Sequence, residues 1–176
     1  MAATHGMIPV AGKGNTVSIL KQGSTIDQAL TAGVEDDTNW DLAGYLSGIT
    51  PVNMTKEVNT EIYLDSEDGY AKKSTGMKDA GDFSFQLGYA PGLAVQKRIV
   101  DIYDVANGEA EKTYFRVKSP TEVQDKYAVN IYYGPISSLG VPSSIENSTD
   151  MKRDITVAVE GRPNLAEDFL HAEPAA

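Results

Sequence analysis

From Asp82 to Tyr89 the sequence alternates without a break. Phe83, Phe85, Leu87 and Tyr89 are aromatic or aliphatic, and Asp82, Ser84, Gln86 and Gly88 separate them. A period of two places each set on one face of a pleated strand. The chain must therefore build a sheet with one buried, aromatic face. The stretch before this strand shows no such order. From Asp65 to Gly81 run seventeen residues that include Asp65, Glu67, Asp68, Lys72, Lys73, Lys78 and Asp79, punctuated by Gly69, Gly76 and Gly81. No apolar period passes through them, which predicts a long polar loop over 65–81. Loops of that length are uncommon in compact domains and are usually functional or disordered. This one keeps Tyr63, Leu64, Tyr70 and Met77 in or beside it, so it reads as an arm that docks on something.

The remaining segments supply a core for that strand to join. Residues 1–14 read as a flexible arm. Thr16 to Lys21 is a first strand with Val17 and Ile19 on one face, and Ile26 to Leu30 allows a short helical turn. Trp40 to Ile49 resumes β character. Val52, Met54, Lys56 and Val58 share a face of the next strand, which runs into Ile62 and Tyr63. After Pro91-Gly92, the residues Val95, Ile99, Ile102, Tyr103 and Ala106 form one stripe of a 3.6-residue period, a helix over about 92–107. Gln96, Lys97, Arg98, Asp101 and Asp104 fall largely elsewhere on it. Asn107-Gly108 is its stop, because glycine takes a left-handed cap without steric cost. Strands return with Thr113, Phe115 and Val117, then with Tyr127, Val129, Ile131 and Tyr133, and the chain bends at Gly134-Pro135. Ile155, Val157 and Val159 mark the last strand, Gly161-Arg162-Pro163 closes the sheet, and residues 164–176 read as a tail. The pattern is α+β and mainly β: one domain over 15–163, a β-sandwich or half-barrel of about seven to eight strands with one packed α-helix.

Little in the chain points to catalysis. With no cysteine, disulfides, thiolate zinc sites and cysteine nucleophiles are excluded together. His5 and His171 sit in the two arms. No nucleophile elbow, P-loop or dinucleotide glycine pattern follows a strand. The GKGNT at 12–16 lacks the upstream glycine and precedes a strand. Asp65-Ser66-Glu67-Asp68-Gly69 offers carboxylate density for Ca²⁺, but without the alternation of an EF-hand loop it reads as a solvated acidic turn. The expectation is a protein that is not an enzyme, with no catalytic residue, no metal site and no cofactor. No apolar run approaches the ~20 residues of a membrane span, and the N-terminus lacks the pattern of a signal peptide. Tyr89, Tyr103, Tyr127 and Tyr133 fall on apolar faces and read as core. Tyr63 and Tyr70 serve either an interface or local packing.

The run YLDSEDGYAKKSTGMKDAGDFSFQLGYAPG, from Tyr63 to Gly92, resembles the major tail tube protein of lambda-like long-tailed phages. GRPNLAED, Gly161 to Asp168, is a second match, and VAGKGNTVSILK near the N-terminus is a weaker one, so the resemblance spans roughly residues 8–168. It implies the phage tail tube fold and a structural virion protein assembled in the host cytoplasm. Hexameric rings of the chain would stack into a tail tube, a conduit through which DNA passes without specific binding. It also implies tail terminator, tape measure and baseplate proteins as partners. The resemblance does not reach the C-terminal immunoglobulin-like domain of the lambda protein, which this chain is expected to lack. On this reading the subunit interface includes Tyr63, Leu64, Asp65, Glu67, Asp68, Tyr70, Lys72, Lys73, Met77 and Lys78. A charge asymmetry fits a conduit: the net charge is −10, and residues 27–70 alone carry ten acids and one base. Such a chain does not grip phosphates. Glu57 and Glu61 are candidates to face the lumen; the alternative is that they face outward or toward a neighbour. The rival function is a non-catalytic binding module, a carbohydrate- or receptor-binding β-sandwich, which surface aromatics such as the one tryptophan, Trp40, would favour.

Overall fold

In the computed structural model, which describes residues 12–64, 69–142 and 145–170, the aromatic alternation becomes one wall of the core. The elements run β1 (Thr16–Leu20), α1 (Ile26–Ala32), β2 (Trp40–Leu42), β3 (Leu46–Thr50), β4 (Thr55–Glu61), β5 (Lys72–Asp79), β6 (Asp82–Gly88), α2 (Ala94–Asp104), β7 (Lys112–Pro120), β8 (Tyr127–Leu139), β9 (Lys152–Ala158) and α3 (Ala166–Phe169). Seven strands make one sheet in the order β2-β1-β7-β8-β9-β6-β3, while β4 and β5 pair only with each other. All pairings are antiparallel.

The sheet bends on β8. Its first part, Tyr127 to Pro135, pairs with β7, and Ile136 to Leu139 pairs with β9. The bend falls at Gly134-Pro135. A β-carbon at Gly134 would lie 1.9 Å from the carbonyl oxygen of Ala158, so only glycine lets β8 cross so close to β9. The two halves of the bent sheet enclose Val17, Ile19, Phe83, Phe85, Leu87, Phe115, Tyr132, Ile155 and Val157. Phe83 stacks on Tyr132 with centroids 4.7 Å apart, and Phe85 meets Phe115 at 6.0 Å. α2 joins this core through Ile99 and Ile102.

The outer face of β1, β7 and β8 is covered as well. Leu20, Ala29, Trp40, Val129 and Ile131 form a second, smaller cluster under α1, with Phe169 of α3 packed against it. Of the alternating set, Tyr127, Val129 and Ile131 therefore belong to this minor layer, Tyr133 meets Tyr114 at its margin with centroids 4.5 Å apart, and Tyr132 on the opposite pleat is the residue in the main core. A strand buried on both faces loses its clean alternation.

Four expectations are corrected. The stretch 65–81 is not all loop, since Lys72–Asp79 is strand β5. The stretch read as a C-terminal tail contains α3, and Asn164 exchanges backbone hydrogen bonds with Ile131. On α2, Tyr103 is 47% exposed rather than core, whereas Gln96 is fully buried. Gln96 is tolerated there because its amide donates to the Gly88 carbonyl at 2.6 Å and accepts from Ala90 N–H at 3.2 Å. The helix also ends early. Val105 takes the left-handed cap at φ 53°, with Val105 N–H bonded to Ile102 O and Ala106 N–H to Asp101 O. That is the paired bonding of a Schellman motif with valine where glycine is usual. Asn107 and Gly108, both at positive φ, make the following turn, closed by Glu109 N–H to Ala106 O at 3.1 Å.

Candidate assembly surface

β4 and β5 form a ribbon in which every residue of both strands is exposed. Their outer edges pair with no other strand of the described residues. A two-stranded ribbon with no buried face is at best marginally stable in water, and its free edges are templates for another chain. The ribbon therefore has the character of an element completed by a partner.

Its register sorts its charges. Thr55 opposes Asp79, Asn59 opposes Ser74 and Glu61 opposes Lys72, while Lys56 opposes Lys78, Val58 opposes Thr75 and Thr60 opposes Lys73. Directly opposed residues share a face. One face thus carries Glu57, Glu61 and Asp79 with Lys72. The other carries Lys56, Lys73 and Lys78 around Val58. The register slips by one residue between Lys56 and Val58, so Gly76 and Met77 together oppose Glu57, a β-bulge. A β-carbon on Gly76 would lie 3.2 Å from that of Glu57, which explains glycine at the bulge.

Toward the tip, Ile62, Leu64 and Tyr70 are more than three-quarters exposed and Tyr63 about half, and Met77 at the bulge near the base is as exposed as they are. Tyr63 donates to the Glu61 carboxylate and lies under the Lys72 ammonium, 5.6 Å from ring to nitrogen. The hydrogen bond to Glu61 pushes the Tyr63 phenol above its usual value. Of the residues expected at an interface, the ribbon and its tip bring together Tyr63, Leu64, Tyr70, Lys72, Lys73, Met77 and Lys78, with Glu57 and Glu61 on the same element. Asp65, Glu67 and Asp68 lie outside the described residues, as do His5 and His171.

The acids Glu35, Asp36 and Asp37 are engaged differently. Arg116, wholly buried, donates to the carbonyls of Val34 and Asp36 and to the Asp37 carboxylate, and stacks over Trp40 at 4.8 Å. Lys118 adds bonds to the Glu35 carbonyl at 2.9 Å and to Asp37 at 3.1 Å. These cations alternate with Phe115 and Val117 and read in sequence as an exposed pleat, so the clamp leaves no sequence signal. Trp40 is buried beneath it, which removes the surface tryptophan that a binding sandwich would present. Among the described residues, no helix is long and apolar enough to cross a membrane.

A family model described as the lambda phage tail tube protein matches residues 24–166. The chain belongs to that family. It is a structural tail tube protein, a component of the virion tail. No curated protein sequence matches it. Among solved structures, the tail of an empty gene transfer agent particle, refined with C6 symmetry, aligns with TM-score 0.58 at 15% identity, over 89% of this chain and 98% of its own. The SPP1 tail tube aligns with TM-score 0.57 at 14% identity, over 89% of this chain and 80% of its own. The baseplate of the anti-feeding prophage aligns with TM-score 0.63 at 8% identity, over 91% and 98%. These likenesses extend the tail tube fold across nearly the whole subunit.

Proposed function

We propose that this tail tube protein closes into hexameric rings, that the rings stack into a tube, and that the β4–β5 ribbon is the element that joins neighbouring copies. The observation that carries the reading is the ribbon itself: two paired strands with no buried residue and two free edges, on a domain whose core is complete without them. Head-to-tail contacts close into a ring when the rotation closes, and edge pairing between ribbons would make a continuous wall. The six-fold symmetry of the gene transfer agent tail supports the ring number. Structures of a tube-terminating cap and a baseplate with the same fold support terminator and baseplate proteins as partners. On the same reading, a tape measure protein occupies the tube during assembly in the host cytoplasm. The interface residues are Tyr63, Leu64, Tyr70, Lys72, Lys73, Met77 and Lys78, together with Asp65, Glu67 and Asp68, which lie between the two strands in sequence. Glu57 and Glu61 face the lumen, where DNA passes without being bound. The subunit carries no catalytic role.

Thr55 and Asp79 face each other at the ribbon base. Residues 56–78 can therefore be replaced by an Asn-Gly turn that suits two antiparallel strands. The expected product is a folded monomer, with circular dichroism and a cooperative transition, that forms no tubes by negative-stain microscopy. Tubes of normal appearance from this variant would refute the role of the ribbon.

A further inference from the structure

The C-terminal end of α2 breaks three local rules within three residues. Tyr103 and Val105 are 47% and 54% exposed. Asp104 is also exposed and stands at the negative end of the helix, whose last turn holds no base. Val105 is β-branched yet left-handed, at φ 53°. Acid at a helix C-terminus and a β-branched residue at positive φ are each disfavoured in an isolated subunit. Among the described residues nothing answers them. Lys97 neutralises Asp101 at 3.2 Å, but Asp104 has no cationic partner among the described residues. Local rules broken together mark a site whose residues are kept for another use.

The complementary surface lies on the ribbon. Lys56, Lys73 and Lys78 share one face with Val58, itself 55% exposed, and none of the three is ion-paired among the described residues. Lys56 and Lys78 are directly opposed, a like-charge pair that is unfavourable unless a carboxylate comes between them. At ~3.3 Å per residue, β4 reaches about 20 Å, enough to cross onto another subunit. The two surfaces match in kind: three ammonium groups around a valine on one, a carboxylate between a tyrosine and a valine on the other.

We propose that the end of α2, Tyr103-Asp104-Val105, receives the lysine face of the ribbon of a second copy. This rests on the reading of the ribbon as an assembly element, and it leaves the Glu57–Glu61 face turned away from the receiving subunit.

The chain has no cysteine, so introduced pairs report without background. Asp104→Cys is combined in turn with Lys56→Cys, Lys73→Cys and Lys78→Cys, and the assembled protein is oxidised. At least one pair should give a ladder of covalent multimers that neither single variant gives. Val105→Gly relieves the left-handed strain, so it should raise the denaturation midpoint of the monomer. The same change should raise the concentration needed for tubes by about tenfold, the loss of one well-buried contact. A variant that folds better and assembles worse cannot be explained by misfolding. Asp104→Lys should block assembly, and Lys→Glu at the cross-linked position should restore it. If wild type forms tubes while no pair cross-links and Val105→Gly and Asp104→Lys assemble as wild type does, this proposal is overturned and the ribbon's role stands. If the protein without its ribbon still forms tubes, both readings fail.

Discussion

Arg116 has no exposed surface, yet it points away from the aromatic core and holds down the loop before β2. Its counter-charge, Asp37, is 70% exposed on its side chain. Partial desolvation pushes the Asp37 carboxyl up, but hydrogen bonds from Lys118 and Arg116 outweigh this and hold it below the ordinary 3.8. The sign follows from linkage. A depressed carboxyl contributes stability that is fully present above its unfolded value and is lost as pH falls through its folded value. Asp37 should therefore contribute an acid limb below about pH 4, seen as a falling urea midpoint that Asp37→Asn flattens. At neutral pH the same change leaves a buried guanidinium with carbonyl partners only. It should cost about 1–3 kcal/mol, nearer the lower figure because Asp37 is mostly exposed. Ile99 tests the helix in the same assay. It is fully buried on the stripe its periodicity marks, and Ile99→Ala should cost roughly 2–5 kcal/mol. A midpoint near wild type would mean that α2 does not anchor on the sheet.

At the scale of elements, β6 and β9 are legible because each has one buried face that imposes an alternation. β5 is not, because neither of its faces is buried and nothing selects apolar residues at every second position. Its Gly76 looks like loop punctuation but marks a bulge. The ribbon could still be singled out in sequence as a feature without a place in the core, since Tyr70 and Met77 stand among charges with no period to bury them. The early end of α2 was beyond reach for a different reason. Val105 sits where propensity disfavours it, and only the backbone bonds of the last turn, to Asp101 O and Ile102 O, reveal the cap. The bulge itself makes a prediction. Deleting Gly76 leaves Thr75 opposite Val58 and Lys78 opposite Lys56, so both charged faces survive. What is lost is the bend that a bulge gives its strand. The subunit should fold with an unchanged circular dichroism spectrum, while tubes of wild-type diameter disappear from micrographs. Tubes of unchanged diameter would show that ribbon curvature does not set the ring.

For the whole molecule, the question is which acids remain to act on the field of an assembled tube. Of those between 27 and 70, several are occupied in the fold. Asp37 serves the Arg116 clamp, Asp41 pairs with Arg98 at 2.8 Å, and Glu35 accepts from Tyr127 N–H at 3.2 Å. Glu57 and Glu61 are exposed on one face of the ribbon with Lys72, while Lys56, Lys73 and Lys78 lie on the other. A wall of lysine would hold DNA, because each neutralised phosphate releases counterions and adds affinity; a wall of carboxylate keeps the duplex moving. Screening confines the effect to groups within about 8 Å of the DNA at physiological salt. Glu57→Lys together with Glu61→Lys should therefore leave tubes intact but slow genome ejection, and slow it more at low ionic strength. Glu61 opposes Lys72, so its reversal also creates a like-charge pair that costs up to about 1 kcal/mol. Glu57→Lys alone, which creates no such pair, is the cleaner variant and should show the same salt dependence at roughly half the size if the two positions act independently. Ejection rates across ionic strength decide the matter. Rates that match wild type at every salt concentration, from particles with intact tubes, would place this face of the ribbon away from the lumen.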